Sequence, residues 1–105
     1  MIPVEKCGLT AETQSKLMGV FKDYPSVQKV ILYGSRAKGN FKPGSDIDIT
    51  LIAPDSDLTD LFKIENQIDD LLLPYKLDIS LFHQIDNASL IAHIKRVGIE
   101  FYSRA

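Results

Sequence analysis

Apolar positions along this 105-residue chain change period from segment to segment, and those changes mark the elements. Leu17, Val20, Phe21 and Tyr24 recur at helical spacing behind Thr10, which can cap a helix, and Glu12, which suits a first turn. Pro25 ends that run. Residues 27–33 read as a strand, with Val30-Ile31-Leu32-Tyr33 continuously apolar, as in a strand covered on both faces. Gly34-Ser35 stops it. Residues 36–45 contain Gly39, Asn40, Pro43 and Gly44 and read as a loop, with room for one helical turn after Ser35. From Asp46 to Ile52 the period is two: Ile47, Ile49 and Leu51 on one face, Asp46, Asp48 and Thr50 on the other.

Pro54, Asp55 and Ser56 form a turn, and Asp57 caps a helix whose apolar stripe is Leu58, Leu61, Phe62, Ile68, Leu71 and Leu72, ended by Pro74. Residues 76–82 give a third strand, with Leu77, Ile79 and Leu81 opposite Asp78, Ser80 and Phe82. Asn87 caps a last helix with Leu90, Ile91, Ile94 and Val97 inward and Gly98 as its stop, and residues 99–102 fit a short closing strand. The order implies one α/β (α+β) domain over residues 1–105, a small mixed β-sheet with helices packed on it.

Composition narrows the class without naming a chemistry. Hydrophobic residues make up 45% and charged residues 25%, ordinary for a soluble globular chain. Twelve basic and fourteen acidic residues give a formal charge of −2, which argues against a dedicated nucleic-acid surface. The single cysteine, Cys7, permits no internal disulfide and spells no zinc site. Residues 1–10 lack a signal-peptide pattern, and no stretch approaches a membrane span, so a cytoplasmic location is expected.

The candidate chemistry lies in the aspartates. Side chains at i and i+2 of a strand share a face, so Asp46 and Asp48 point the same way. Asp78 lies on the polar side of another alternating strand. If the second and third strands are neighbours, three carboxylates converge. Such a cluster is unfavourable alone, because each carboxylate raises the pKa of the others. Bound Mg²⁺ would relieve it, since Mg²⁺ takes oxygen ligands and shares them with substrate phosphates. Two ions about 3.5–4 Å apart would serve an in-line phosphoryl displacement. A lone Asp-x-Asp more often marks a wet strand face. Aspartate is depleted in strands, however, and three of them on sheet segments weigh against that bland reading.

Gly34-Ser35 sharpens the picture. A glycine after an apolar strand lets backbone approach a ligand closely, and a helical turn starting there would offer free N–H groups to an anion. Arg36, Lys38 and Lys42 add positive charge nearby. Alone, Gly-Ser is an ordinary turn. Combined with Asp-x-Asp at this spacing, the four fixed positions arise by chance in roughly one chain in a thousand. No P-loop or dinucleotide fingerprint is present.

At residues 32–39 and 45–49, with Gly34-Ser35, ten intervening residues and Asp46-Ile47-Asp48, the chain resembles nucleotidyltransferases of the DNA polymerase β superfamily. More closely, it resembles the minimal nucleotidyltransferase (MNT) proteins of bacteria and archaea. Leu77-Asp78-Ile79 matches that family's third-carboxylate strand, and the likeness runs from about Val27 to the C-terminus. The resemblance implies a polymerase β-like nucleotidyltransferase fold. It implies that Asp46, Asp48 and Asp78 bind two Mg²⁺ ions and are catalytic, with Asp78 also orienting the attacking hydroxyl. It implies that Gly34 and Ser35 hold the triphosphate and that Arg36 contacts phosphate. The implied reaction moves a nucleoside monophosphate, AMP from ATP, to a hydroxyl acceptor and releases pyrophosphate. Minimal members typically act with a helical HEPN-domain protein, as the antitoxin that adenylylates a tyrosine of the HEPN toxin. Two other readings stay open at this level: a non-catalytic module that neutralises a partner by contact, and transfer to a small molecule in a pocket completed by a partner.

Other residues carry plainer expectations. His83 and His93 have no ligand spacing and read as structural or surface residues, and Tyr33 reads as packing. Glu65, Asp69 and Asp70 read as a solvated helix face. Asp55, Asp57 and Asp60 read as turn and cap residues. Phe101 and Tyr102 face either the sheet or a partner.

Overall fold

A computed structural model of the chain describes residues 7–104; residues 1–6, where the leader-peptide reading mostly falls, and residue 105 lie outside the described residues. The first helix, α1 (Ala11–Lys22), starts where Thr10 accepts a hydrogen bond from the Thr13 N–H and buries Leu17, Val20 and Phe21. Strand β1 (Lys29–Tyr33) follows, then a five-residue helix α2 (Gly34–Lys38), β2 (Ile47–Ile52), α3 (Leu58–Asp69), β3 (Leu77–Leu81), a 3₁₀ turn (Phe82–Gln84), α4 (Ala88–Val97) and β4 (Ile99–Ser103). The expected element order holds, including the closing strand. The second strand begins at Ile47, one residue later than its pattern implies, so Asp46 stands just before it.

The sheet runs β3-β2-β1-β4. β1 pairs antiparallel with β2 and β4, while β2 and β3 are parallel. Parallel neighbours need a long crossover, and α3 provides it. Because directly paired residues share a face, Val30, Leu32, Ile49, Leu51, Ile79 and Leu81 turn to one side. There they join Leu17, Phe21, Leu61, Ile64 and Ile68 in the main core. Tyr33, Asp48, Thr50, Asp78 and Ser80 turn to the other side, where α4 packs across β1. Ile31 is only half-buried on that side, so β1 is less fully covered than its apolar run implies.

The stripe on α3 differs from expectation. Leu61, Ile64 and Ile68 are buried, whereas Leu58, Phe62 and Leu72 are exposed. At about 100° per residue, Leu61, Ile64 and Ile68 lie within roughly 60° of one another, and Phe62 sits ~100° from Leu61. Leu72 lies beyond the helix, in a left-handed turn at φ 54°. Asp57 caps α3 through a reciprocal capping box with Asp60, as its turn-and-cap reading requires. Phe101 and Tyr102 are resolved as core residues: their rings pack on Phe21 at 6.5 and 5.9 Å. Arg104 donates to the carbonyls of Phe21, Lys22, Tyr24 and Val27 and so closes the C-terminal end of α1. No described helix is long and apolar enough to cross a membrane.

Candidate active site

The parallel β2–β3 pairing decides where the carboxylates fall. Asp48 stands directly opposite Asp78, and on its other side opposite Tyr33. Paired residues on neighbouring strands are about 5 Å apart, so both aspartates occupy one end of one sheet face. Asp46 lies two residues before Asp48 and is exposed; Asp48 is half-buried. Burial, then the charges of Asp78 and Asp46, push the Asp48 carboxyl above the usual carboxylate range, while His93 opposes the rise. Tyr33, 7% exposed, is pushed up by burial and then by Asp78, with a polar contact from Ser80 working against it and Asp48 adding to it.

Gly34 sits immediately beneath this group. Its φ of 74° is left-handed, and a Cβ there would overlap Asp48 Oδ2 and lie 3.1 Å from Asp48 Cγ. The strand therefore turns into α2 with the Asp48 carboxylate in the space a side chain would fill. Ser35, half-buried in the first turn of α2, is the next residue along.

Arg36 departs from expectation. It is 1% exposed, and its guanidinium is engaged by main-chain carbonyls rather than free to meet a phosphate. Nε and Nη2 donate to the Ser45 carbonyl at 3.2 and 2.9 Å, Nη2 reaches the Pro43 carbonyl at 3.5 Å, and Nη1 donates to the Cys7 carbonyl at 3.0 Å. Phe41 and Tyr75 flank it, with centroids 5.1 and 4.9 Å from Cζ. A cation beside Gly-Ser reads as a phosphate ligand in one dimension; folding instead uses it to satisfy loop carbonyls.

One end of the sheet face thus carries Asp48 and Asp78 above a glycine turn, with the exposed Asp46 just before β2. The family model described as polymerase beta, nucleotidyltransferase matches residues 15–105, which include all of these positions. The chain belongs to the polymerase beta nucleotidyltransferase family. The fold of this nucleotidyltransferase is similar to that of a toxin–antitoxin protein crystallised with AMP-PNP, at TM-score 0.70 and 22% identity over 87% of this chain and 73% of that one. It is also similar to a chain of the MntA-HepT toxin–antitoxin structure, at TM-score 0.66 and 18% identity over 90% and 74% of the two chains. A third likeness is to a chain in the complex of the tri-AMPylated Shewanella oneidensis HEPN toxin with its MNT antitoxin, at TM-score 0.66 and 19% identity over 89% and 71%. No curated protein sequence matches the chain.

The nucleotidyltransferase's three aspartates reach one region, yet among the described residues no three His, Cys, Asp or Glu side chains form a ready-made metal cage. Mutual repulsion disfavours closing three uncompensated carboxylates around an empty centre. The donors nevertheless suit a hard divalent cation: they are carboxylate oxygens, and the like charges that raise Asp48 are what a cation would relieve. His93 is a site neighbour that sequence reasoning missed. Its ring meets Tyr33 edge-on at 6.0 Å, and its charge acts on Asp48. The available signal was its place at 93 between Leu90 and Val97, on the inward stripe of α4. His83 is exposed in the 3₁₀ turn, and Asp69 and Asp70 are exposed at the end of α3.

Proposed function

We propose that this nucleotidyltransferase is a Mg²⁺-dependent enzyme that moves AMP from ATP to a hydroxyl of a HEPN-type partner protein, acting as an antitoxin. The observation that carries the reading is the Asp48–Asp78 pairing across parallel strands, with the Gly34 turn packed beneath the Asp48 carboxylate. The partner class and the adenylyl group come from the similar structures, among them one with AMP-PNP and one with an AMPylated HEPN toxin.

Asp46, Asp48 and Asp78 would hold the cation or cations. Bound there, Mg²⁺ would neutralise the clustered carboxylates and the triphosphate and stabilise charge on the attacking and leaving oxygens. The open backbone at Gly34 and Ser35 lets the phosphates lie close to the chain. Asp78, exposed at the sheet edge, orients the acceptor hydroxyl by accepting its hydrogen bond. The acceptor oxygen bonds to the α-phosphorus as the α–β bridging bond breaks. Pyrophosphate leaves with that electron pair, and the hydroxyl proton passes to Asp78 or solvent. Arg36 takes no part in phosphate contact in this account.

The test is incubation of the chain with labelled ATP, Mg²⁺ and a HEPN-type protein encoded beside it. Label on a partner tyrosine is expected, and Asp48→Asn should abolish it while keeping the fold. No label with any of the four nucleotides would overturn the reading. Full neutralisation by the Asp46→Asn, Asp48→Asn double variant would show that contact alone suffices.

A further inference from the structure

We propose that Arg36 is the positioning residue of the carboxylate site, a buried joint that holds three chain segments in register so that Asp46, Asp48 and Asp78 meet. This rests on the nucleotidyltransferase reading above for its meaning, though not for its geometry. Arg36 follows directly on Gly34-Ser35, on α2. Its guanidinium holds the Ser45 carbonyl through two donors, and Ser45 immediately precedes Asp46. The guanidinium Cζ lies 4.9 Å from the ring centroid of Tyr75, three residues before Asp78. A main-chain bond from the Ile47 N–H to the Lys76 carbonyl, 2.9 Å, closes the same corner between β2 and β3. The Phe41 ring, from within the 39–45 loop, has its centroid 5.1 Å from Arg36 Cζ, and the Cys7 carbonyl ties in the segment before α1.

The chemistry of the joint requires arginine. A planar fork can donate to two or three carbonyls in different directions while aromatic rings contact it, whereas a lysine ammonium is a compact point donor. The loop at 39–45, with Gly39, Pro43 and Gly44, has no regular hydrogen-bond ladder of its own to fix Asp46. Gly39 and Asn40 N–H donate to the Ser35 carbonyl at 3.0 and 3.2 Å and so tie the start of the loop to the turn, while Ser45 N–H to the Lys42 carbonyl, 2.9 Å, and Lys42 N–H to Ser45 Oγ, 2.8 Å, fold its far end only on itself. Arg36 attaches that far end, at Ser45, to the turn. Ready-made geometry at a site is worth large factors in rate, because small displacements of reacting groups are costly.

The experiment compares Arg36→Lys and Phe41→Leu with the unchanged chain, the second variant keeping the arginine but loosening its packing. Three quantities are read on folded protein: the backbone amide shifts in the absence of ligand, the Mg²⁺ concentration for half-maximal ATP binding, and the ATP affinity without divalent ion. Expected are amide shift changes concentrated at residues 45–48 and 76–78, and a Mg²⁺ midpoint raised roughly tenfold in Arg36→Lys and less in Phe41→Leu, with metal-free affinity unchanged. A loss of thermal stability with both the amide pattern and the Mg²⁺ midpoint unchanged overturns the proposal. A fall in metal-free ATP affinity alone makes Arg36 a phosphate ligand and also overturns it. If the unchanged chain binds no Mg²⁺-ATP, the enzymatic reading fails, and the amide shifts still decide whether Arg36 holds the three segments. If Arg36→Lys does not fold, Phe41→Leu carries the same comparison.

Discussion

Gly34→Ala separates stability from chemistry at a single atom. The added methyl must enter space held by Asp48 Oδ2, on a backbone with φ 74°. A left-handed non-glycine residue costs about 1–2 kcal/mol, offset by about 0.4–1 kcal/mol because alanine also restricts the unfolded chain. The methyl meets the far end of a flexible side chain, so the carboxylate swings aside at about 0.5–1.5 kcal/mol rather than the backbone breaking. The net loss is about 0.5–3 kcal/mol, a fall in Tm of about 4–8 °C per kcal/mol for a chain of this size. Function should suffer far more, since moving a reacting group by about an ångström costs on the order of a hundredfold in rate. Thermal unfolding and adenylyl transfer measured on the same preparation check both halves. A variant that unfolds earlier yet transfers AMP within twofold of the unchanged chain would refute the idea that the glycine exists to seat Asp48.

Asp48→Asn should raise Tm at pH 7, because the folded carboxyl is held above its unfolded pKa and the charged form is therefore penalised. That penalty grows as pH rises from the unfolded value through the raised one, so the variant's advantage should shrink to nothing below about pH 4; an advantage independent of pH would sink the explanation. His93→Gln removes the group that opposes the rise at Asp48, so the acid limb of Mg²⁺-ATP binding should move to higher pH in a titration calorimetry series, and an unmoved limb would exclude His93 from the site. Asp57→Ala should cost about 1 kcal/mol in denaturant unfolding by removing the α3 cap, with ATP binding unchanged.

Local pattern carried the element order because each segment has its own period and its own stop. Thr10, Asp57 and Asn87 all accept the expected capping bonds, and the alternation of β2 and β3 correctly separates apolar from acidic faces. The convergence of the carboxylates was legible only conditionally. It needed β2 and β3 to be neighbours, which depends on α3 crossing over the sheet rather than on either strand's residues. Where two faces of one helix are both apolar, local pattern fails: Phe62 and Ile64 compete for the core, and packing against α1 and the sheet chooses Ile64.

Arg36 and His93 mark the deeper limit, because each takes its role from a segment distant in the chain. A cation after Gly-Ser has the charge of a phosphate ligand, and only the fold brings the Cys7 and Ser45 carbonyls and the Tyr75 ring to it. Burying that guanidinium is tolerable because its donors are satisfied; an unpaired buried cation would cost several kcal/mol. The same logic runs in reverse at Asp48, where burial and the charges of Asp78 and Asp46 raise the carboxyl and His93 offsets the rise only in part. The chain thus spends the buried Arg36 charge on shaping the loop before Asp46 and leaves Asp48 pushed toward protonation. A corner built that way gains most from a ligand that brings positive charge with it, which is why Mg²⁺ and nucleotide are expected to stabilise this protein together more than the sum of their separate effects.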